Sequence, residues 1–294
     1  METLQNKIDF AVIISVKDAN PNGDPLNGNR PRDNAAGYGE ISDVCIKRKI
    51  RNRLQDMGES IFLQSDDRAD DGMKNLKERA GSDERMRKAE KEKDKQLYAE
   101  IACEKWIDVR SFGQVFAFSN SKKKKDGDES ESGVSVGVRG PVTVGITRSV
   151  SPVDIIDMQI TKSAPSEEGA KGRSSTMGTK YLVEFGLYVC KGSINCRLAE
   201  KTGFTEEDAE KIKAALATLF ENDCSSARPE GTMQVCRVYW WKHSSKYPKL
   251  STAKVHASLK ITEKPLDRRP MSIDDYDIVS EPLDGVELEI IDNM

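Results

Sequence analysis

Apolar residues alternate over residues 8–16, with Ile8, Phe10, Val12, Ile14 and Val16 on one side and further apolar residues on the other. A period of two predicts a strand buried on at least one face. Over residues 42–57 the period changes, and Ile46, Ile50, Leu54 and Met57 recur at spacings of four, four and three. That is the core stripe of a helix, capped by Ser42 or Asp43 and stopped by Gly58. A short strand is predicted at 61–64. Order returns at 97–107 with Trp106, and 108–118 reads as a strand. Residues 134–160 are β-rich, and further strands are predicted at 181–189 and 233–243. A helix is predicted over 205–220, with Thr205 as cap and Asp208 at the capping-box position. Ala209, Ile212, Leu216, Leu219 and Phe220 form its buried stripe.

Four stretches interrupt this pattern. The loop over 20–32 is turn chemistry throughout, and its prolines and glycines exclude a helix. Residues 66–95 hold 20 charged residues in 30, ten of each sign, which suits an exposed helix or disorder with no core of its own. Residues 121–133 are a low-complexity loop, and 161–179 a polar excursion. Without the insertions, the order is strand, helix, strand, strands, helix, strand. This predicts an α+β fold with a β-α-β-β-α-β ferredoxin-like core, the class that includes RNA-recognition modules. Many unrelated functions share that core.

The chain has 294 residues, 37% hydrophobic and 32% charged, enough for one large elaborated domain or two small ones, with part of its length in solvated insertions. No apolar run approaches the ~20 residues needed to cross a bilayer. The N-terminus lacks a basic-then-apolar pattern, so a soluble, cytoplasmic protein without a membrane partner is expected. Six cysteines include no C-x-x-C pair, which favours free thiols, and Cys190 and Cys196 are read as structural. The only histidines are His243 and His256, which removes most zinc-site and Ser-His-Asp readings. No P-loop or Rossmann fingerprint is present. Net charge is −3, but residues 271–294 hold eight acids and no Lys or Arg, so residues 1–270 carry +5. A mildly basic body thus precedes an acidic tail.

That charge distribution directs attention to anion binding. Five of the seven residues 47–53 are basic: Lys47, Arg48, Lys49, Arg51 and Arg53. At 100° per residue, Lys47 and Arg51 lie on one edge of the apolar stripe, Lys49 and Arg53 on the other, and Arg48 points away from the core. Like charges four residues apart repel, and no local acid follows before Asp56. Phosphate would relieve the repulsion, and a solvated basic face is the plainer alternative. In the 20–32 loop, Asn22, Asn27, Arg30 and Arg32 suit a sugar-phosphate backbone. A structural turn cluster, or a metal held by Asp18, Asp24 and Asp33, are the other readings of that loop. Residues 110–118 resemble the RNP1 strand of RNA-recognition modules, but the match fails at the first glycine and the following aromatics. Phe112, Phe116 and Phe118 therefore read first as core. The excursion at 161–179, flanked by Arg148, Lys162 and Lys180, fits either a plain loop or a hairpin finger laying Lys162, Lys171 and Arg173 across a nucleic acid. Trp240 and Trp241 fall on opposite faces of a strand, so one core and one rim position are expected.

Several motifs together resemble one family. They are Asn20-Pro21-Asn22-Gly23-Asp24-Pro25 followed by Gly28-Asn29-Arg30-Pro31-Arg32, the run 43–52, and Asp108-Val109-Arg110-Ser111-Phe112-Gly113. Gly140-Pro141-Val142, the stretch 148–160, and Met177-Gly178 ahead of Gly186-Leu187-Tyr188 continue the series. In order and spacing, residues 8–290 are similar to the CRISPR-associated backbone subunit of the type I-C Cascade surveillance complex, the seventh Cas family within the RAMP superfamily. The resemblance implies a hand: a ferredoxin-like palm, a helical fingers insertion at 66–105 and a β-hairpin thumb region within 140–180. It implies copies stacked head to tail along the guide (crRNA), with the palm on the guide backbone and the thumb displacing a nucleotide at intervals. The guide then pairs with target DNA, which a separate nuclease-helicase cuts. Other Cascade subunits are partners too, one of them processing the guide precursor. Related type III backbone subunits cleave RNA with an aspartate, and the type I family does not.

The expectation is a non-enzymatic crRNA-binding subunit with no catalytic residue, cofactor or metal. Its RNA-binding candidates are Lys47, Arg48, Lys49, Arg51 and Arg53, with Asn22, Asn27, Arg30 and Arg32. Arg110, Arg139, Arg148, Lys162 and Lys180 form a second tier, and Met177 is a candidate wedge against a base. Two rivals stay open: a metal-dependent RNA endonuclease of the same superfamily using Asp24 or Asp33, and a partner-binding scaffold without nucleic acid.

Overall fold

The computed structural model describes residues 2–69, 71–117, 135–161 and 177–294. Phe118, the run 121–133, Lys162, Lys171 and Arg173 lie outside the described residues.

The first alternation becomes β1 (Ile8–Ala19), which is longer than predicted and buried on both faces. β2 (Gly23–Asp24) and β3 (Arg30–Pro31) pair as a small ribbon, and β4 (Tyr38–Ile41) leads into α1 (Asp43–Asp56). Ser42 caps α1 by accepting the Cys45 N–H at 3.2 Å. Ile46, Ile50 and Leu54 are buried as predicted, whereas Met57, past the last turn, is exposed.

The charged segment is helical and does contribute to a core, contrary to expectation. It forms α2 (Leu76–Gly81) and α3 (Glu84–Glu92), followed by α4 (Lys95–Lys105) and α5 (Ile107–Phe112). Ala80, Met86 and Ala89 join Phe62, Tyr98, Ile101, Trp106 and Phe116 in a second apolar core. Three polar residues start these short helices: Asn75, Asp83 and Asp94 each accept an N–H from the turn that follows. A segment needs few apolar residues when partners outside it supply most of the core.

Two predicted strands are corrected. Residues 61–64 form none, because the N–H groups of Phe62 and Leu63 donate to the Asp108 carboxylate at 2.8 and 3.1 Å rather than to a neighbouring strand. Within 108–118, residues up to Phe112 belong to α5, and only β5 (Gln114–Ala117) is extended. Gly113 makes the break with a φ of 80°, and a Cβ there would meet the Val138 carbonyl oxygen at 2.3 Å. A Cβ on Gly140 would likewise meet the Ser111 carbonyl oxygen at 2.2 Å, so the two segments pass closely where both lack a side chain.

β6 (Ser135–Val138) pairs with β5. β7 (Val142–Val144), β8 (Thr147–Pro152) and β9 (Ile155–Thr161) all pair with the long β10 (Met177–Ile194). α6 (Cys196–Thr202) and α7 (Glu206–Ala217) follow, the latter opened by the predicted Thr205–Asp208 capping box. The last elements are β11 (Met233–His243), α8 (Thr252–Ser258), β12 (Leu259–Glu263), β13 (Tyr276–Ser280) and β14 (Val286–Asp292).

The main sheet is antiparallel, in the order β14-β11-β1-β10-β8-β4. On one face, Phe10, Val12 and Ile14 share a core with Ile46 and Ile50 of α1 and Ile212 and Leu216 of α7. Each such side chain contributes about 1.5–3 kcal/mol on burial. On the other face, Ala11, Ile13, Leu187 and Trp241 lie beneath α8 and the β12–β13 ribbon. Trp240 and Trp241 are therefore both buried, which corrects the core-and-rim expectation. The acidic segment is no free tail, since β14 extends the main sheet beyond β11. All six cysteines are free thiols, and burial pushes Cys103 and Cys190 up to about 11.

Candidate nucleic-acid interface

The 20–32 loop is a fixed turn. The Asp24 carbonyl accepts from the N–H groups of Asn27 and Asn29 at 3.0 and 2.8 Å, and Gly28 and Asn29 turn the chain in the left-handed region. Asn20 donates to the Asn29 carbonyl at 2.7 Å, and the Asn22 side chain accepts the Ser42 N–H at 2.9 Å. Asn22 thus joins the ribbon to the start of α1, while Asn27 stays exposed. Arg32 pairs with Asp24 at 3.2 Å, and Arg30 lies over the Tyr181 ring at 5.5 Å. Leu26, at the tip, is 98% exposed.

The five cations of α1 have separate environments. Lys49 is only 5% exposed; it pairs with Asp223 and lies over the Phe220 ring. Burial pushes its ammonium below the usual lysine range, with Asp223 opposing the shift. Lys49 is therefore no surface ligand, which corrects its placement on an open helix edge. Arg51 pairs with Asp108 at 3.0 Å and stacks on Phe112 at 4.9 Å, while Arg53 engages Glu221 and donates to the Thr218 hydroxyl at 2.7 Å. Lys47 pairs with Asp43 at 3.0 Å. Arg48 is the open one, 62% exposed, with Asp67 at 3.7 Å. The repulsion that looked uncompensated along the chain is offset mostly by acids from other elements, with Lys47 held instead by Asp43 of α1 itself, and the predicted two edges carry Lys47 and Arg51 on one side and Lys49 and Arg53 on the other.

Arg110 is also engaged, donating to both oxygens of Asp208. Arg139 is exposed and has no partner among the described residues. Arg148, exposed on β8, pairs with Glu40 at 2.8 Å. The excursion read as a possible hairpin finger is framed by β9 and β10, with Thr161 opposite Met177 and Met158 opposite Lys180. Met177 is 68% exposed and shares a face with Thr179 and Tyr181; Lys180 is half-buried on the reverse face. Tyr181 was missed by the sequence reading, although an aromatic beside Lys180 was a usable signal. The rival carboxylate Asp24 holds Arg32 and accepts the Leu26 N–H at 3.2 Å. Among the described residues, no three His, Cys, Asp or Glu side chains gather as a metal site.

A cationic ribbon and helix beside an extended hairpin, carried on an antiparallel sheet, define a candidate nucleic-acid-binding protein of mixed α/β class. Over residues 6–281 the chain matches the family "CRISPR-associated protein Cas7", and it belongs to that family. It is 28% identical over 244 residues to the CRISPR-associated protein Cas7 of Haloferax volcanii, covering 81% of this chain and 70% of that one. Among solved structures it is similar to a chain of a "CRISPR RNA-guided surveillance complex", with 14% identity, TM-score 0.44, and coverage of 80% of this chain and 68% of that one. A chain of a "CRISPR RNA-guided surveillance complex, pre-nicking" gives 13% identity, TM-score 0.46, and coverage of 85% and 81%. No helix among the described residues is long and apolar enough to cross a membrane.

Proposed function

We propose that this chain is a non-catalytic, crRNA-binding backbone subunit of a type I-C CRISPR surveillance complex. It oligomerises along the guide in the cytoplasm and presents it for pairing with target DNA. The observation that carries the reading is the union of three elements: the ribbon bearing Arg30 and Arg32, α1 bearing Arg48, and the root of the β9–β10 hairpin. The Asn22–Ser42 bond joins the first two, and Arg30 over Tyr181 joins the ribbon to the hairpin. Cations spread over neighbouring elements suit a phosphate track, while base pairing leaves sequence reading to the guide. Arg139, Arg148, Lys47 and Lys180 are secondary contacts. Arg51, Arg53 and Arg110 act by holding elements together.

The strand order β11-β1-β10-β8, with α1 and α7 on one face, supports a ferredoxin-like palm within one elaborated domain. The helices within 66–105 fit the fingers, and β9–β10 fits the thumb, with Met177 as its wedge. Head-to-tail stacking needs two complementary surfaces per chain, for which a basic body and the acidic 271–294 segment are suited. Other Cascade subunits and a nuclease-helicase complete the assembly. The test is purification from a host expressing its CRISPR array. RNA of uniform length in a large particle of fixed stoichiometry is expected. A nucleic-acid-free monomer that stays unassembled with guide RNA and partner subunits would overturn the reading. Magnesium-dependent cleavage of guide precursor, lost in Asp24→Ala or Asp33→Ala, would assign the endonuclease instead.

A further inference from the structure

We infer that the outer edge of β14 receives an extended strand of a second protein, one in which basic residues alternate with apolar ones. β14 closes one end of the main sheet and, among the described residues, pairs only with β11. In an antiparallel ladder, every second residue of such a strand turns its N–H and C=O away from its one neighbour. Proteins commonly blunt an edge with proline, lysine, a bulge or short length. β14 has none of these: it runs seven residues, Val286–Asp292, without Pro or Lys and in unbroken register with β11. Its outward backbone groups are therefore ready to pair with one more strand.

The side chains define that strand. Glu287 and Glu289 lie on the α7 face of the sheet, where Lys213 of α7 pairs with Glu289 at 2.7 Å. Glu287 is exposed and has no ion pair among the described residues, since Lys242, opposite it on β11, engages Glu206. Leu288 and Ile290 lie on the other face. Leu288 packs against the core that holds Ala11 and Trp241, whereas Ile290 leaves 48% of its surface open. Cross-strand neighbours share a face, so an added strand would set basic residues beside Glu287 and Glu289 and apolar ones beside Leu288 and Ile290.

This chain offers no such strand among its described residues. Two β14 edges placed together would bring acids against acids. Of the other strands with a free edge and four or more residues, β4, β5, β6, β9 and β13 hold no Lys or Arg, and β12 holds only Lys260, which pairs with Glu281. Nucleic acid is disfavoured as well, because the acids repel phosphate and because β11 and β1 separate β14 from β10, which carries the hairpin. The other acids of 271–294 precede β14 and remain for the contact between copies proposed above.

The test is an anisotropy titration of the full chain with a dye-labelled, blocked heptapeptide alternating lysine with valine. Hydrogen exchange is measured on the protein with and without that peptide. Binding is expected, with slowed exchange at amides within 286–292. A peptide alternating glutamate with valine should bind about tenfold more weakly, and so should one with the lysines gathered in a block, which cannot match the alternation of the edge. Ile290→Lys places a charge on the open apolar position and should weaken binding about tenfold; Glu287→Gln, a milder change at an exposed site, should weaken it about threefold. Absence of binding by the lysine–valine peptide overturns the inference. So does binding without slowed exchange in β14, equal affinity for the blocked-order peptide, or unchanged affinity in both variants. The RNA-binding reading stands under any of these outcomes, because no residue assigned to RNA is altered.

Discussion

Arg110 clasps Asp208 through two hydrogen bonds, from Nε to Oδ2 at 2.9 Å and from Nη2 to Oδ1 at 2.7 Å. Asp208 also accepts the Thr205 N–H at 2.9 Å in the capping box, so one carboxylate starts α7 and anchors α5. Arg110→Ala would leave that carboxylate buried with its main counter-charge gone, a loss of about 3 kcal/mol. Arg110→Lys should recover only part, because an ammonium cannot offer two parallel donors. Urea denaturation of the three proteins checks this ordering.

The same clasp sets an acid limit. Burial pushes Asp208 upward, but Arg110 and Thr205 outweigh it and hold the carboxyl below its ordinary value of 3.8. Asp9 behaves likewise: burial raises it, while His243 and Lys7 lower it further, with a net downward shift. For both groups the unfolded chain takes up its proton first as pH falls. Their stabilisation is therefore fully present above 3.8 and is lost as pH drops through the lower folded values. Burial also holds His256 below its ordinary value of 6.5, so stability in urea should begin to decline gently below about pH 6.5 and fall more steeply below about pH 4, where the carboxylates protonate. Arg110→Ala should show a shallower acid slope than the parent, and parallel slopes would remove the clasp as its source.

Lys49 and Asp223 form an unequal pair. Asp223 has a second cation, Arg228 at 3.4 Å, whereas Lys49 has no other acid within ion-pair distance among the described residues. Lys49→Met keeps the side chain's bulk and leaves Asp223 with Arg228, so it should cost about 1 kcal/mol or less. Asp223→Ala strands a buried ammonium beside Arg228 and should cost about 3 kcal/mol. Thermal unfolding of the two variants measures the difference, and equal losses would mean that Arg228 does not support Asp223.

How far the sequence could be read depended on where each residue's partner lay. The Thr205–Asp208 box, the Ile46–Ile50–Leu54 stripe and the 233–243 strand rest on neighbours within a few positions, and all three formed as expected. The strand expected at 61–64 failed because its amides bind a carboxylate 45 and 46 residues away. The basic run on α1 was misjudged for the same reason: Asp108, Glu221 and Asp223 lie far along the chain. The charged segment concealed its core because Met86 and Ala89 bury against Tyr98, Trp106 and Phe116, outside the segment. One of Trp240 and Trp241 was expected at the rim because nothing local signals that α8 and the β12–β13 ribbon close the second face.

These placements change which cations should report on RNA. A cation that neutralises a phosphate releases a counterion, so its loss lowers the slope of log K against log salt by about 0.7 per contact on a single strand. Arg48, with its loose hold on Asp67, should show that loss on Arg48→Ala with the fold intact. Arg30→Ala should show it too, and because it also uncovers the Tyr181 ring, its affinity should fall further than its slope predicts. Lys49→Met should leave the slope unchanged, since its ammonium is buried against Asp223. Fluorescence titrations of a short single-stranded RNA at several salt concentrations compare the three directly. A slope that falls with Lys49→Met but not with Arg48→Ala would mean that α1 turns its opposite edge to the RNA, which requires the loop carrying Asp223 to move away on binding.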